Sequence, residues 1–270
     1  MRTAASAAVA ALLWVCGGGV VSAAPPVDPL AEARLLLGRG DVDGAVASAD
    51  GVRGDATVRS RADIIAAHAR LERYRATGAT ADLVDARRRL TEVDATTLSA
   101  RERDALAMGY GIALHLEGAS AAAALVFEPL LATPRPDDDY QRLLDWWATA
   151  TATAADRRAV DQRRADYARL QERLQAERRA HGPSAALVYW LVAAARGAGD
   201  LEGAWAAAQA AWAQAPALGA SAAPLRDDIG RLVTVLAPER ARAAGQALQV
   251  VLDDWRQFTT AWGSAVANTP

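Results

Sequence analysis

Apolar side chains return every three or four residues through most of this 270-residue chain and do not alternate with polar ones. Leu106, Tyr110 and Leu114 make one such face; Val160, Tyr167, Leu170 and Leu174 make another. This spacing lines up side chains on one side of an α-helix, whereas a half-buried strand would need a period of two. Val and Ile are sparse, and Ala, Leu, Arg, Glu and Gln, all good helix formers, dominate. The pattern predicts an all-α fold of roughly a dozen helices joined by short loops.

Helix ends are marked by punctuation. Ser99 with Glu102 reads as a capping box opening the helix that carries Leu106. The stretch from Pro134 to Asp139 breaks the chain and then supplies acids to the next helix start. His181-Gly182-Pro183-Ser184 reads as a stop and a restart, and Pro224 and Pro238 predict later breaks. Residues 24–29, with Pro25, Pro26 and Pro29, read as an extended linker ahead of the first helix.

A longer period lies over the helical one. Gly40-Asp41 with Ala45, Gly118 with Ala123, and Gly199-Asp200 with Ala204 all place an Ala five residues after a Gly; Gly78 has Leu83 there. The glycines are separated by 38, 40 and 81 residues, the last close to two periods of about 40, which is the signature of stacked helix pairs. Gly ends the first helix of a pair, Asp caps the second, and Ala lets the two approach closely. No Gly stands near residue 158, but a turn at Asp156 to Arg158 would put Trp147 on a first helix and Tyr167 on a second, spanning about 155 to 180, of a degenerate unit.

Gly199, Asp200, Leu201, Ala204, Ala211, Trp212 and Pro216 in one unit, Tyr110-Gly111, Gly118, Ala123, Phe127, Leu130 and Leu131 in another, and Gly40, Asp41 and Ala45 in a third carry the match to a family. The chain resembles the tetratricopeptide repeat over residues 30–216, with residues 217–270 as helices capping the stack. The period departs from the family's, near 40 here against about 34. Ala208 stands where an aromatic is common. The resemblance implies a right-handed superhelical stack of antiparallel helix pairs, an α-solenoid. Its first helices would line a concave groove that holds an extended peptide, with Met108, Ile112, His115, Tyr189, Ala193 and Arg196 as wall residues.

Composition narrows the partner. With 30 basic against 32 acidic residues the formal charge is −2, so no overall field draws the protein to nucleic acid. All the basic residues are Arg, and Asn268 is the only Asn; this reads as coding bias, so Arg abundance carries little functional weight. The run from Arg157 to Arg179 holds eight Arg and four acids, net +4. We read it as a solvated helix face with internal ion pairs; a surface for an acidic partner is the other reading.

The first residues read as an export leader. Arg2 is followed by an apolar run from Ala4 to Val15, too short to span a bilayer. Val21-Ser22-Ala23 fits cleavage of a signal peptide over residues 1–23. Leu13-Trp14-Val15-Cys16 instead resembles a lipobox, with a lipid on Cys16 as the sole membrane contact. Either route implies an exported protein of a bacterial cell envelope, periplasmic or envelope-associated. A single cysteine excludes an internal disulfide.

No catalytic signature stands out. His68, His115 and His181 are far apart, Gly17-Gly18-Gly19 belongs to the leader, and no serine sits in a nucleophile elbow. No enzyme activity, metal or cofactor is expected. Seven Trp follow the leader, and large aromatics suit the gaps between thin, Ala-rich helices. Adjacent residues lie about 100° apart on a helix, so at least one of Trp146 and Trp147, and at least one of Tyr189 and Trp190, is expected to be partly exposed. Trp212 is expected in the core and Trp205 toward water. The leading function is a scaffold that holds a protein or peptide partner; the alternative is a small-ligand or transport accessory protein with an aromatic pocket near Trp146, Trp147 and Trp190.

Overall fold

Six Gly or polar turns each join two helices into a pair in a computed structural model that describes residues 28–264. The expected leader, Cys16, most of the linker and residues 265–270 lie outside the described residues. Among the described residues there are twelve α-helices and no strand. Helix α1 (Ala31–Gly38) is joined to α2 (Val42–Val52) at Gly40, and α3 (Arg59–Thr77) to α4 (Thr80–Glu92) at Gly78. Helix α5 (Ala100–Leu116) turns into α6 (Ser120–Leu131) at Gly118, and α7 (Asp137–Asp156) into α8 (Val160–His181) without a glycine. Helix α9 (Ala185–Ala198) meets α10 (Leu201–Gln214) at Gly199, and α11 (Ala222–Ala244) meets α12 (Leu248–Ser264) at Gly245. Short 3-10 helices, Ala95–Thr97 and Ala215–Ser221, fill two of the links between pairs.

The turns follow from local chemistry. Gly40 and Gly199 take φ of 77° and 88°, a region that costs a residue with a Cβ. The next residue caps the following helix: Asp41 accepts from the Gly44 amide and Asp200 from the Gly203 amide, both at 2.9 Å. Ala45, Ala123 and Ala204 are completely buried at the crossings that follow. Glycine also opens space for aromatics, because a Cβ on Gly111 would run into Phe127 and one on Gly197 into Tyr167. The expected capping box is present, with both Ser99 to Glu102 bonds formed. In the glycine-free turn, Arg157 donates to the Gly118 carbonyl, so one turn is tied to the previous one.

The helices pack serially. Each touches the next, and α1, α3, α5, α7 and α9 each also touch the next odd-numbered helix. Among the even-numbered helices, only α10 and α12 share such a principal contact. The main core runs from Ile64 in α3 to Ala194 in α9, and a second, from Val188 to Trp255, spans residue 216.

Several local expectations are corrected. Pro224 and Pro238 do not break the chain: α11 continues through both. Pro224 lies in the first turn, where an amide has no helical partner to lose, while at Pro238 the flanking core residues Leu236, Ala237 and Ala241 hold the helix together. Val160 is 52% exposed despite sharing a stripe with Tyr167, because it is the first residue of α8. Trp146 and Trp147 are both buried, since α7 is packed by α5, α6, α8 and α9 and offers a neighbour in each direction. The roles of Trp205 and Trp212 are exchanged: Trp205 is 4% exposed and Trp212 only partly buried.

Candidate functional site

The face shared by the odd-numbered helices carries most of the residues expected to meet a partner. Met108, on α5, is half-buried against the main core. Ile112, one turn on, is 3% exposed and belongs to the core itself. His115, in the last turn of α5, meets the Trp146 ring edge-on at 5.7 Å. The Arg75 guanidinium, from the last turn of α3, lies over the same indole at 5.6 Å, close enough for a cation–π attraction. Three successive odd helices therefore meet around Trp146.

Burial, followed by the charge of Arg157, pushes the His115 pKa down, so its imidazole is neutral near pH 7. Its Nδ1 is buried and has no hydrogen-bond partner. A neutral imidazole accepts at one nitrogen and donates at the other, and the tautomer decides which.

On α9, Tyr189 and Trp190 pack edge-on at 5.4 Å. Trp190 is buried and donates its indole N–H to Asp145 on α7 at 2.8 Å. Tyr189 is half-buried; burial first, and then Asp228 and Asp145, push its phenol pKa up, so it remains a donor through the physiological range. Ala193 is half-buried beside it. Arg196 forms a two-pronged pair with Glu239 of α11, at 2.8 and 2.6 Å. That bond raises the Arg196 pKa. Arg196 thus clamps α9 to α11 and keeps about a third of its side chain exposed.

The candidate residues separate into two layers. Ile112, Trp146 and Trp190 lie beneath, while Met108, His115, Tyr189 and Arg196 retain exposed atoms above them. The sequence alone did not single out Arg75 or Asp145, because each joins the group through a contact between helices far apart in sequence. The three tryptophans of the small-ligand reading do not converge. Trp147 lines an open groove of about 460 Å³ between α6 and α8, which neither Trp146 nor Trp190 lines.

No protein-family model, curated protein or solved structure matches the chain.

A second polar cluster has a structural explanation. Glu177, buried in α8, accepts from Tyr140 Oη and Arg173 Nε, both at 2.6 Å, and His181 stands 3.5 Å away. Burial and Glu177 push the Tyr140 pKa up, so the phenol stays protonated and ties the start of α7 to the end of α8. Among the described residues, no group of three or more His, Cys, Asp or Glu is placed to hold a metal ion. No helix among them is long and apolar enough to cross a membrane.

Proposed function

We propose that this protein is an exported helical-repeat scaffold of the bacterial cell envelope, resembling tetratricopeptide-repeat proteins, that holds a protein or peptide partner on a concave face. The observation that carries this reading is the serial packing, in which each odd-numbered helix touches the next odd one while the even-numbered helices are mostly held apart. Helix pairs packed in this way curve with the closely spaced helices inside, as in an α-solenoid. Met108, His115, Tyr189 and Arg196 contact the partner, and Ile112, Trp146 and Trp190 hold those side chains in place. A neutral imidazole, a phenol donor and guanidinium groups suit the carbonyls and carboxylates of an extended peptide.

Photo-crosslinking in envelope fractions tests the reading. A photoreactive residue at Tyr189 or His115 is expected to capture a discrete partner, and one at Val84, 57% exposed on α4, is not. No adduct from the first two positions, or the same adducts from all three, counts against the concave face.

A further inference from the structure

We propose that the groove between α6 and α8 receives an amphipathic α-helix of a partner protein, with acidic side chains flanking its apolar stripe. The site lies on the side of the even-numbered helices and is additional to the concave face.

The walls have a helical period on both sides. Helix α6 contributes Ala121, Ala124, Leu125 and Glu128, and α8 contributes Asp166, Arg169, Leu170 and Arg173. Each set has the spacing i, i+3, i+4, i+7, so each wall presents two turns, about 10 Å, of a single helix face. The floor is α7, with Trp147 at one end and Ala154 and Ala155 toward the other. Two ridges of this kind with small residues between them form the surface into which a further helix packs. Leu125 is 72% exposed on the wall, an apolar side chain set to meet an apolar stripe.

Charge selects the flanks of that helix. Arg158, Arg169 and Arg173 line the groove against Glu128 and Asp166, leaving an excess of positive charge. Arg169 pairs with Asp166, Arg158 lies 3.8 Å from the same carboxylate, and Arg173, whose Nε donates to Glu177, has its terminal nitrogen 3.6 Å from Glu128. Side-chain exposures of 55%, 69% and 38% for Arg158, Arg169 and Arg173 leave guanidinium donors open to a second carboxylate. Acidic residues beside the stripe satisfy those donors, and basic ones would meet like charge.

The test uses the full chain and a fluorescein-labelled synthetic helix of about four turns, with Leu along one stripe and Glu on both flanks. Fluorescence anisotropy is expected to show saturable binding that weakens at least about tenfold in Leu125→Asp and in Arg169→Glu. The same peptide with Lys replacing Glu is expected to bind at least about tenfold more weakly. Both substituted side chains are exposed, and unchanged thermal melts confirm that the fold is intact. Tyr189→Ala is expected to leave peptide binding unchanged, so failure of the groove and failure of the concave face are read separately. Equal binding by Leu125→Asp, or by the Lys peptide, overturns the proposal. So does an absence of peptide binding, whether dodecanoate fills the groove instead or sedimentation shows a dimer that Leu125→Asp dissociates.

Discussion

Between α2, α3 and α4 the notable buried contacts are between charged groups, whereas between α9, α10, α11 and α12 they are aromatic. Asp63, 1% exposed, accepts from Arg53 at 2.6 Å and Arg89 at 3.3 Å. Arg89, itself buried, also donates to Asp50 at 2.7 Å and Asp85 at 2.9 Å, and Asp82 is held by Arg73 and Arg70. At the other end, the Trp255 ring lies 5.5 Å from Trp205, 5.6 Å from Trp212 and 5.9 Å from Phe258. Arg240 and Arg226 cover Trp205 and Trp212 at 4.8 and 5.2 Å. Thin, Ala-rich helices leave gaps at both ends, and either filling works when its needs are met. Buried charges require partners on several sides, and indoles favour edge-to-face or offset-stacked neighbours.

The sharpest test of the aromatic end is Trp205→Ala, expected to cost about 3 to 5 kcal/mol in thermal or urea unfolding. Trp212→Ala should cost clearly less, because that ring is only partly buried; equal losses would break the distinction between the two. At the charged end, Asp63→Ala should cost about 3 kcal/mol by leaving Arg89 short of a partner. A loss below about 1 kcal/mol would make Asp63 equivalent to a surface acid. Ala204→Leu should overpack the α9/α10 crossing at a cost of about 1 to 3 kcal/mol, and a neutral melt would remove that crossing from the argument.

Acid should separate the two ends by smaller, local effects. A hydrogen bond from Arg73 is the chief cause holding the Asp82 pKa down. Burial raises that of Asp85, but hydrogen bonds from Arg88 and Arg89 outweigh it and leave it lowered. A carboxylate whose folded pKa is depressed contributes stability that is present above its unfolded value, about 3.9, and is lost as pH falls through the folded one. Below about pH 4, amide-exchange protection in α3 and α4 should therefore fall before that in α10 and α11. The reverse order would contradict the assignment of the charged cluster as a stabilising feature.

Much of the fold was legible because its causes are local. The turns at Gly40, Gly118 and Gly199, and the caps Asp41, Asp200 and Ser99, follow from backbone conformation and side-chain reach over three residues. The candidate site was legible only as a set of residues. Which of them would support and which would contact depended on the surroundings of each helix. Trp146 and Trp147 point about 100° apart, and α7 has neighbours in both directions, so neither faces solvent. The α6 and α8 rows of the groove can each be seen in sequence, but their facing arrangement over Trp147 arises from the packing around α7.

The sequence by itself determined an all-helical chain, the position of its glycine turns and the caps that start several helices. Helical hydrogen bonds, φ preferences and caps act over no more than a few residues. Tertiary structure decided which tryptophans are buried, joined Arg89 to Asp50 across 39 residues, carried α11 through Pro238 and set Arg169 beside an apolar groove. Burial and ion pairing depend on what the remainder of the chain places next to a side chain, and local periodicity does not encode that neighbour.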